Sequence, residues 1–150
     1  MFSIAFTKET LTDAEPGEQA RIGLVRLGNH EERFIAHLNE WRAQDYVEHW
    51  NLALERALTA RPAALVTDMW TPAQSSHLVW WPLWKIGDDL AFHNQLLFFE
   101  THNITGARIN VEELFALVGE HFSHNDDGEP VSEWRVPVAE VVAFLTSASA

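Results

Sequence analysis

Residues able to do chemistry gather around histidine. The 150-residue chain has eight, and the tightest group is His121-Phe122-Ser123-His124-Asn125-Asp126-Asp127. Two imidazoles three positions apart on a helix, with carboxylates beside them, would suit a divalent ion held by nitrogen and oxygen donors. A helix is not expected here. Gly119 precedes the group and Asn125 to Gly128 end it, and both stretches favour irregular backbone. A solvated loop is the simpler expectation, so no metal or other cofactor is assigned.

Asp45 stands four positions before His49, a spacing by which a carboxylate can orient an imidazole for acid–base work. A surface pair on a helix is the plainer reading, because nothing supplies a nucleophile. There is no cysteine, and no Gly-x-Ser-x-Gly elbow, glycine-rich phosphate loop or His-Glu-x-x-His motif. The chain is therefore not expected to be an enzyme, and a metal-dependent enzyme built on His121 and His124 is kept as the rival.

Trp70, Trp80, Trp81, Trp84 and Trp134, with Phe92, Phe98 and Phe99, would make a stacking platform for single-stranded nucleic acid if a cationic groove ran beside them. Only Lys85 and Arg135 lie near in sequence, and 10 basic against 22 acidic residues leave a net charge of -12 that repels a polyanion. These aromatics are expected in the core and in part of a protein interface. A nucleic-acid-binding or adaptor module is the second rival.

The same charge favours a basic protein partner, since opposite fields speed encounter. From Ile109 to Trp134 there are seven acidic residues and no lysine or arginine. Asp126, Asp127 and Glu129 are the first candidate docking carboxylates, and Asp88 with Asp89 forms a second patch. A merely solvated face is the competing reading.

The elements that would carry these groups follow from hydrophobic period. Phe2, Ile4 and Phe6 alternate as in a half-buried strand, Ile22 and Leu24 suggest a second, and Arg33 to Leu38 a third across the Gly28-Asn29-His30 turn. Thr10 to Glu18 reads as an acidic loop turning at Pro16-Gly17. From Ala43 to Thr59, Tyr46, Val47, Trp50, Leu54, Ala57 and Leu58 fall on one helical face, and Arg61-Pro62 ends the helix. Strands are expected at Ala64 to Met69, His77 to Lys85 and Leu90 to Phe98, as a meander with Pro82 at an edge or a bulge. Asn110 should cap a helix reaching about Gly119, with Glu113 closing a capping box. A loop from His121 to Pro130, a strand over Val131 to Val136 and a helix over Val138 to Leu145 complete the chain. The expected fold is α+β: an antiparallel sheet, a meander that is sandwich-like or strongly curved, packed with a central amphipathic helix and two C-terminal helices in one domain over residues 1–150. No apolar run approaches the roughly 20 residues of a membrane span, and the N-terminus lacks a basic, apolar secretory signal, so the cytoplasm is the expected address.

Four ordered segments resemble the immunity proteins of bacterial contact-dependent growth inhibition. They are Glu40-Trp41-Arg42-Ala43-Gln44-Asp45-Tyr46 running on to Trp50 and Leu54; Trp80-Trp81-Pro82-Leu83-Trp84; Asn94-Gln95-Leu96-Leu97-Phe98-Phe99; and Asp127-Gly128-Glu129-Pro130-Val131-Ser132-Glu133-Trp134. The resemblance implies a small α+β protein that binds and blocks the C-terminal toxic domain, often a basic nuclease, of a large delivered exoprotein. It also implies that Tyr46, Trp50, Trp80, Trp81, Asn94, Gly128 and Trp134 hold the scaffold while acidic segments choose the toxin. Three positions depart from the pattern: Arg42 replaces a Ser or Asp cap, Trp84 a tyrosine, and His93 a glutamine.

Overall fold

The computed structural model describes residues 1–9, 19–106 and 109–148. The acidic loop expected over Thr10 to Glu18 lies outside them. The alternation at the start forms β1 (Phe2–Phe6), with Phe2 and Ile4 buried, and it pairs antiparallel with β2 (Ala20–Leu27), which pairs with β3 (His30–His37). Gly28 turns β2 into β3 at φ +66°, a conformation a side chain resists. Gly23 sits opposite Phe34, whose ring lies where a Cβ on Gly23 would be, so the glycine makes room for an aromatic covering the ladder.

Helix α1 (Ala43–Leu58) buries Tyr46, His49, Trp50, Ala53, Leu54 and Ala57, a stripe recurring every three or four residues. Val47, expected on this face, is 40% exposed. Arg42 brings no side-chain acceptor to the N-cap. Asp45 turns back instead, its Oδ2 accepting the Arg42 N–H at 2.9 Å, so one half of a capping box remains. At the far end, Ala60 at φ +60° breaks the helix just before Arg61-Pro62.

A second antiparallel sheet follows: β4 (Ala63–Asp68), β5 (His77–Ile86), β6 (Asp89–Phe92), β7 (Gln95–Phe98) and β8 (Trp134–Pro137). The order is β4-β5-β6-β8, with β7 also on β5. The α+β class holds, with the strands divided between a three-stranded and a five-stranded sheet. Two expectations need correcting. Of the two alternatives for Pro82, the edge is not met, since β5 is interior, and an irregularity in the ladder takes its place; and Leu90 to Phe98 is two strands rather than one. Both trace to Pro82. Its carbonyl accepts the His93 N–H at 2.9 Å, but the proline has no N–H to return, so the partner leaves the ladder at His93 and Asn94 and rejoins it at Gln95.

Helix α2 (Val111–Phe115) is capped by Asn110, whose Oδ1 accepts the Glu112 N–H at 2.9 Å; it ends well short of Gly119. Helix α3 (Val138–Ala148) follows β8 directly and starts where the Val138 N–H meets the Asp88 carbonyl at 2.8 Å. The core lies between the two sheets and α1, with Trp50, Trp81, Tyr46, Phe92 and Phe115 its largest fully buried side chains. No helix among the described residues is long and apolar enough to cross a membrane.

Candidate functional site

The break opposite Pro82 releases His93, and strand register decides what it meets. Strand β8 pairs with β6 so that Trp134 faces Phe92, which sets Glu133 beside His93. His93 Nε2 donates to Glu133 Oε1 at 3.0 Å. His121 arrives from the segment after α2, which is held down where the Trp84 indole N–H meets the Gly119 carbonyl at 2.8 Å, and its Nε2 donates to the same Oε1. Arg135 Nε takes the other oxygen, Oε2, at 3.0 Å. Trp84 packs edge-on against both imidazoles, and Phe122 stands over His93 at 5.0 Å between ring centroids.

Burial would raise the Glu133 pKa, but the hydrogen bonds from His121, His93 and Arg135 outweigh it and hold the carboxyl down at about 2. The group is an anion fastened by three donors from three stretches of chain. As it stands, it clasps the 119–133 segment to the sheet. It also brings two imidazole nitrogens and a carboxylate oxygen within 4.8 Å of one another.

The metal pair considered from sequence, His121 with His124, is not what folding assembles. His124 Nδ1 bonds to the hydroxyl of neighbouring Ser123 at 2.8 Å in an exposed position, while His121 turns inward to Glu133. His93 and Glu133 were missed as its companions; Glu133 is 12 positions from His121 and 40 from His93, and no local spacing links them. The surface pair of Asp45 and His49 is also corrected. His49 is 5% exposed, and its Nε2 accepts the Val66 N–H at 2.7 Å, while Asp45 serves the helix cap.

The candidate docking carboxylates stand on two structures. Asp126, Asp127 and Glu129 are exposed on a small hairpin in which Asn125 Oδ1 accepts the N–H groups of Asp127 and Glu129, each at 3.0 Å. Gly128 closes that turn at φ +79°. None of the three carboxylates has a hydrogen bond or ion pair among the described residues. Asp88 is exposed in the β5–β6 turn, and Asp89 is half-buried at the start of β6. The hairpin precedes β8 in the chain, whereas Asp89 pairs with Pro137 at the far end of that strand, so the two patches stand on different elements.

The remaining residues singled out from sequence join elements together. The Tyr46 hydroxyl donates to the His37 carbonyl at 2.6 Å and accepts the Met69 N–H at 2.8 Å, and the Trp50 indole donates to the Val66 carbonyl at 2.8 Å. Asn94 Nδ2 reaches Glu32 Oε2 at 2.8 Å, and Trp134 stacks on His30 at 4.5 Å, both linking the five-stranded sheet to β3. Trp80, Trp81, Phe92 and Phe99 are buried, so they present no faces for bases to stack on; Phe98 is 45% exposed.

Two sheets stitched by buried aromatics, with unpaired carboxylates on a self-closed hairpin, define a small acidic α+β scaffold. Comparison with known proteins makes this specific. The family model described as "CdiI N-terminal domain" matches residues 36–144, and the chain belongs to that family. It is 26% identical over 149 residues to the Immunity protein CdiI of Enterobacter cloacae subsp. cloacae, covering 98% of both chains. Its fold is that of a chain in the solved CdiA-CT/CdiI toxin and immunity complex from Enterobacter cloacae, with a TM-score of 0.84, 23% identity and 99% of each chain covered.

Proposed function

We propose that this protein is an immunity protein of contact-dependent growth inhibition: it binds the C-terminal toxin domain of a cognate exoprotein in the cytoplasm and neutralises it stoichiometrically, without catalysis. The observation that carries this reading is the match to a named immunity protein over 98% of both chains. The net charge of -12 supports a basic toxin, such as a nuclease. Asp126, Asp127 and Glu129 form the contact surface in this reading, because carboxylates without partners of their own are free to meet Lys or Arg. Asp88 and Asp89 are a second, separate contact. The whole chain, 1–150, acts as one domain.

The test is co-expression with the toxin domain of the exoprotein encoded beside it, together with association kinetics of the purified pair. The protein should restore growth and bind at one to one. Reversing Asp126, Asp127 and Glu129 to lysine should slow association by about tenfold or more and flatten its salt dependence. Cells that die as quickly with the protein as without it would overturn the function; unaltered kinetics in the lysine variant would remove the hairpin from the contact.

A further inference from the structure

The clasp at Glu133 carries more than it needs to fasten a loop. Two imidazole Nε2 atoms aim at one carboxylate oxygen, and the second oxygen is already fixed by Arg135, which leaves Oε1 as a single, oriented donor. His93 is nearly fully buried, and its Nδ1 has no partner among the described residues, so the ring satisfies only one of its two nitrogens. His121 and Glu133 are 24% and 21% exposed, so one side of the cluster opens to solvent. His121 also lines a surface cleft with Trp84 and Gly119, which gives an entry path.

We propose that His93 Nε2, His121 Nε2 and Glu133 Oε1 form a binding site for a divalent transition-metal ion of the zinc class, with its remaining position open to water on the cleft side. Two imidazoles and a carboxylate are a donor set that zinc accepts with a fourth position free. Bonds of about 2.0–2.1 Å in a tetrahedron place donors roughly 3.3 Å apart, and the His93–Glu133 pair already stands at 3.0 Å. It must open by only a few tenths of an ångström, while His121 backs away somewhat further from the cleft side. Each imidazole then moves its proton from Nε2 to Nδ1, so both stay neutral and no proton is released. The aromatic wall of Trp84 and Phe122 lowers the local dielectric, and the protein's overall negative field favours a cation. A bound ion would lock the 119–133 segment, and with it the acidic hairpin, to the five-stranded sheet.

The test is titration of the purified full-length protein with Zn2+ against a chromophoric chelator, and with Co2+ followed by its visible absorption. One equivalent of Zn2+ should bind, and His121→Asn and Glu133→Gln should each weaken binding by at least about tenfold, the lower end of the loss seen when only an outer-shell partner is removed. His124→Asn should leave it unchanged. No saturable binding, or equal binding in His121→Asn and the unaltered protein, would overturn the proposal. Should a variant fail to fold, the Co2+ spectrum of the unaltered protein decides by itself: bands of a four- or five-coordinate, nitrogen-ligated ion at one equivalent support the site, and their absence removes it.

Discussion

Replacing Tyr46 by Phe deletes one oxygen atom and leaves the ring. That oxygen is the joint between the end of β3, the start of α1 and the chain leaving β4, since it donates to the His37 carbonyl at 2.6 Å and accepts the Met69 N–H at 2.8 Å. Burial raises the phenol's pKa, so the hydroxyl keeps the proton it donates. The ring contacts to Phe6, Trp41 and Trp50 survive the change, which keeps lost packing small. What is lost is two hydrogen bonds, each worth about 0.5–1.5 kcal/mol net, or, where the Met69 N–H stays buried without an acceptor, a desolvation penalty of about 1–3 kcal/mol. A total near 3 kcal/mol corresponds to a fall in Tm of about 6–12 °C for a chain of this size. Urea unfolding followed by tryptophan fluorescence should show a lower midpoint at unchanged slope. A loss below about 0.5 kcal/mol, the scale of an ordinary surface change, would mean that the hydroxyl joins nothing of consequence.

Two further predictions concern pH. Burial lowers the His49 pKa from 6.5 to about 3, so as acidity rises the unfolded chain takes up a proton before the folded one does. Stability present above pH 6.5 should decline towards pH 3, and His49→Gln, which keeps an acceptor for the Val66 N–H, should flatten that decline in urea titrations at pH 7, 5.5 and 4; identical slopes would refute the account. The Glu133 carboxyl, held at about 2 against an ordinary 4.5, contributes stability that is present above pH 4.5 and lost as pH falls towards 2. Glu133→Gln should therefore be less stable than the unaltered protein at neutral pH, with the gap closing on acidification below 4.5; a gap that is constant with pH would show that the charge is not what fastens the loop.

What was legible in the sequence was local. The Phe2-Ile4-Phe6 alternation, the Tyr46-Trp50-Leu54 stripe and the Asn110 cap each depend on neighbours within one or two turns, and each formed as expected. His49 was misread by residue type: it falls on the same stripe as Tyr46 and Trp50, and a polar side chain there was assigned to solvent although the position was internal. Pro82 reads as a missing donor at an edge or a bulge, and of the two it is an irregular ladder that forms, the partner strand stepping aside at His93 and Asn94. The Glu133 clasp was illegible because it depends on β6–β8 register and on where the chain returns after α2, neither of which leaves a mark in local spacing.

The hairpin at Asn125–Glu129 owes its shape to an amide side chain, a glycine and main-chain bonds, and nothing to the acids it displays. Its tip is thus an exchangeable label on a fixed handle. Two descendants differing only at Asp126, Asp127 and Glu129 would fold alike, and under the contact proposed above they would answer to different adversaries, so that choice of opponent could drift over generations while the rest of the molecule stays as it is.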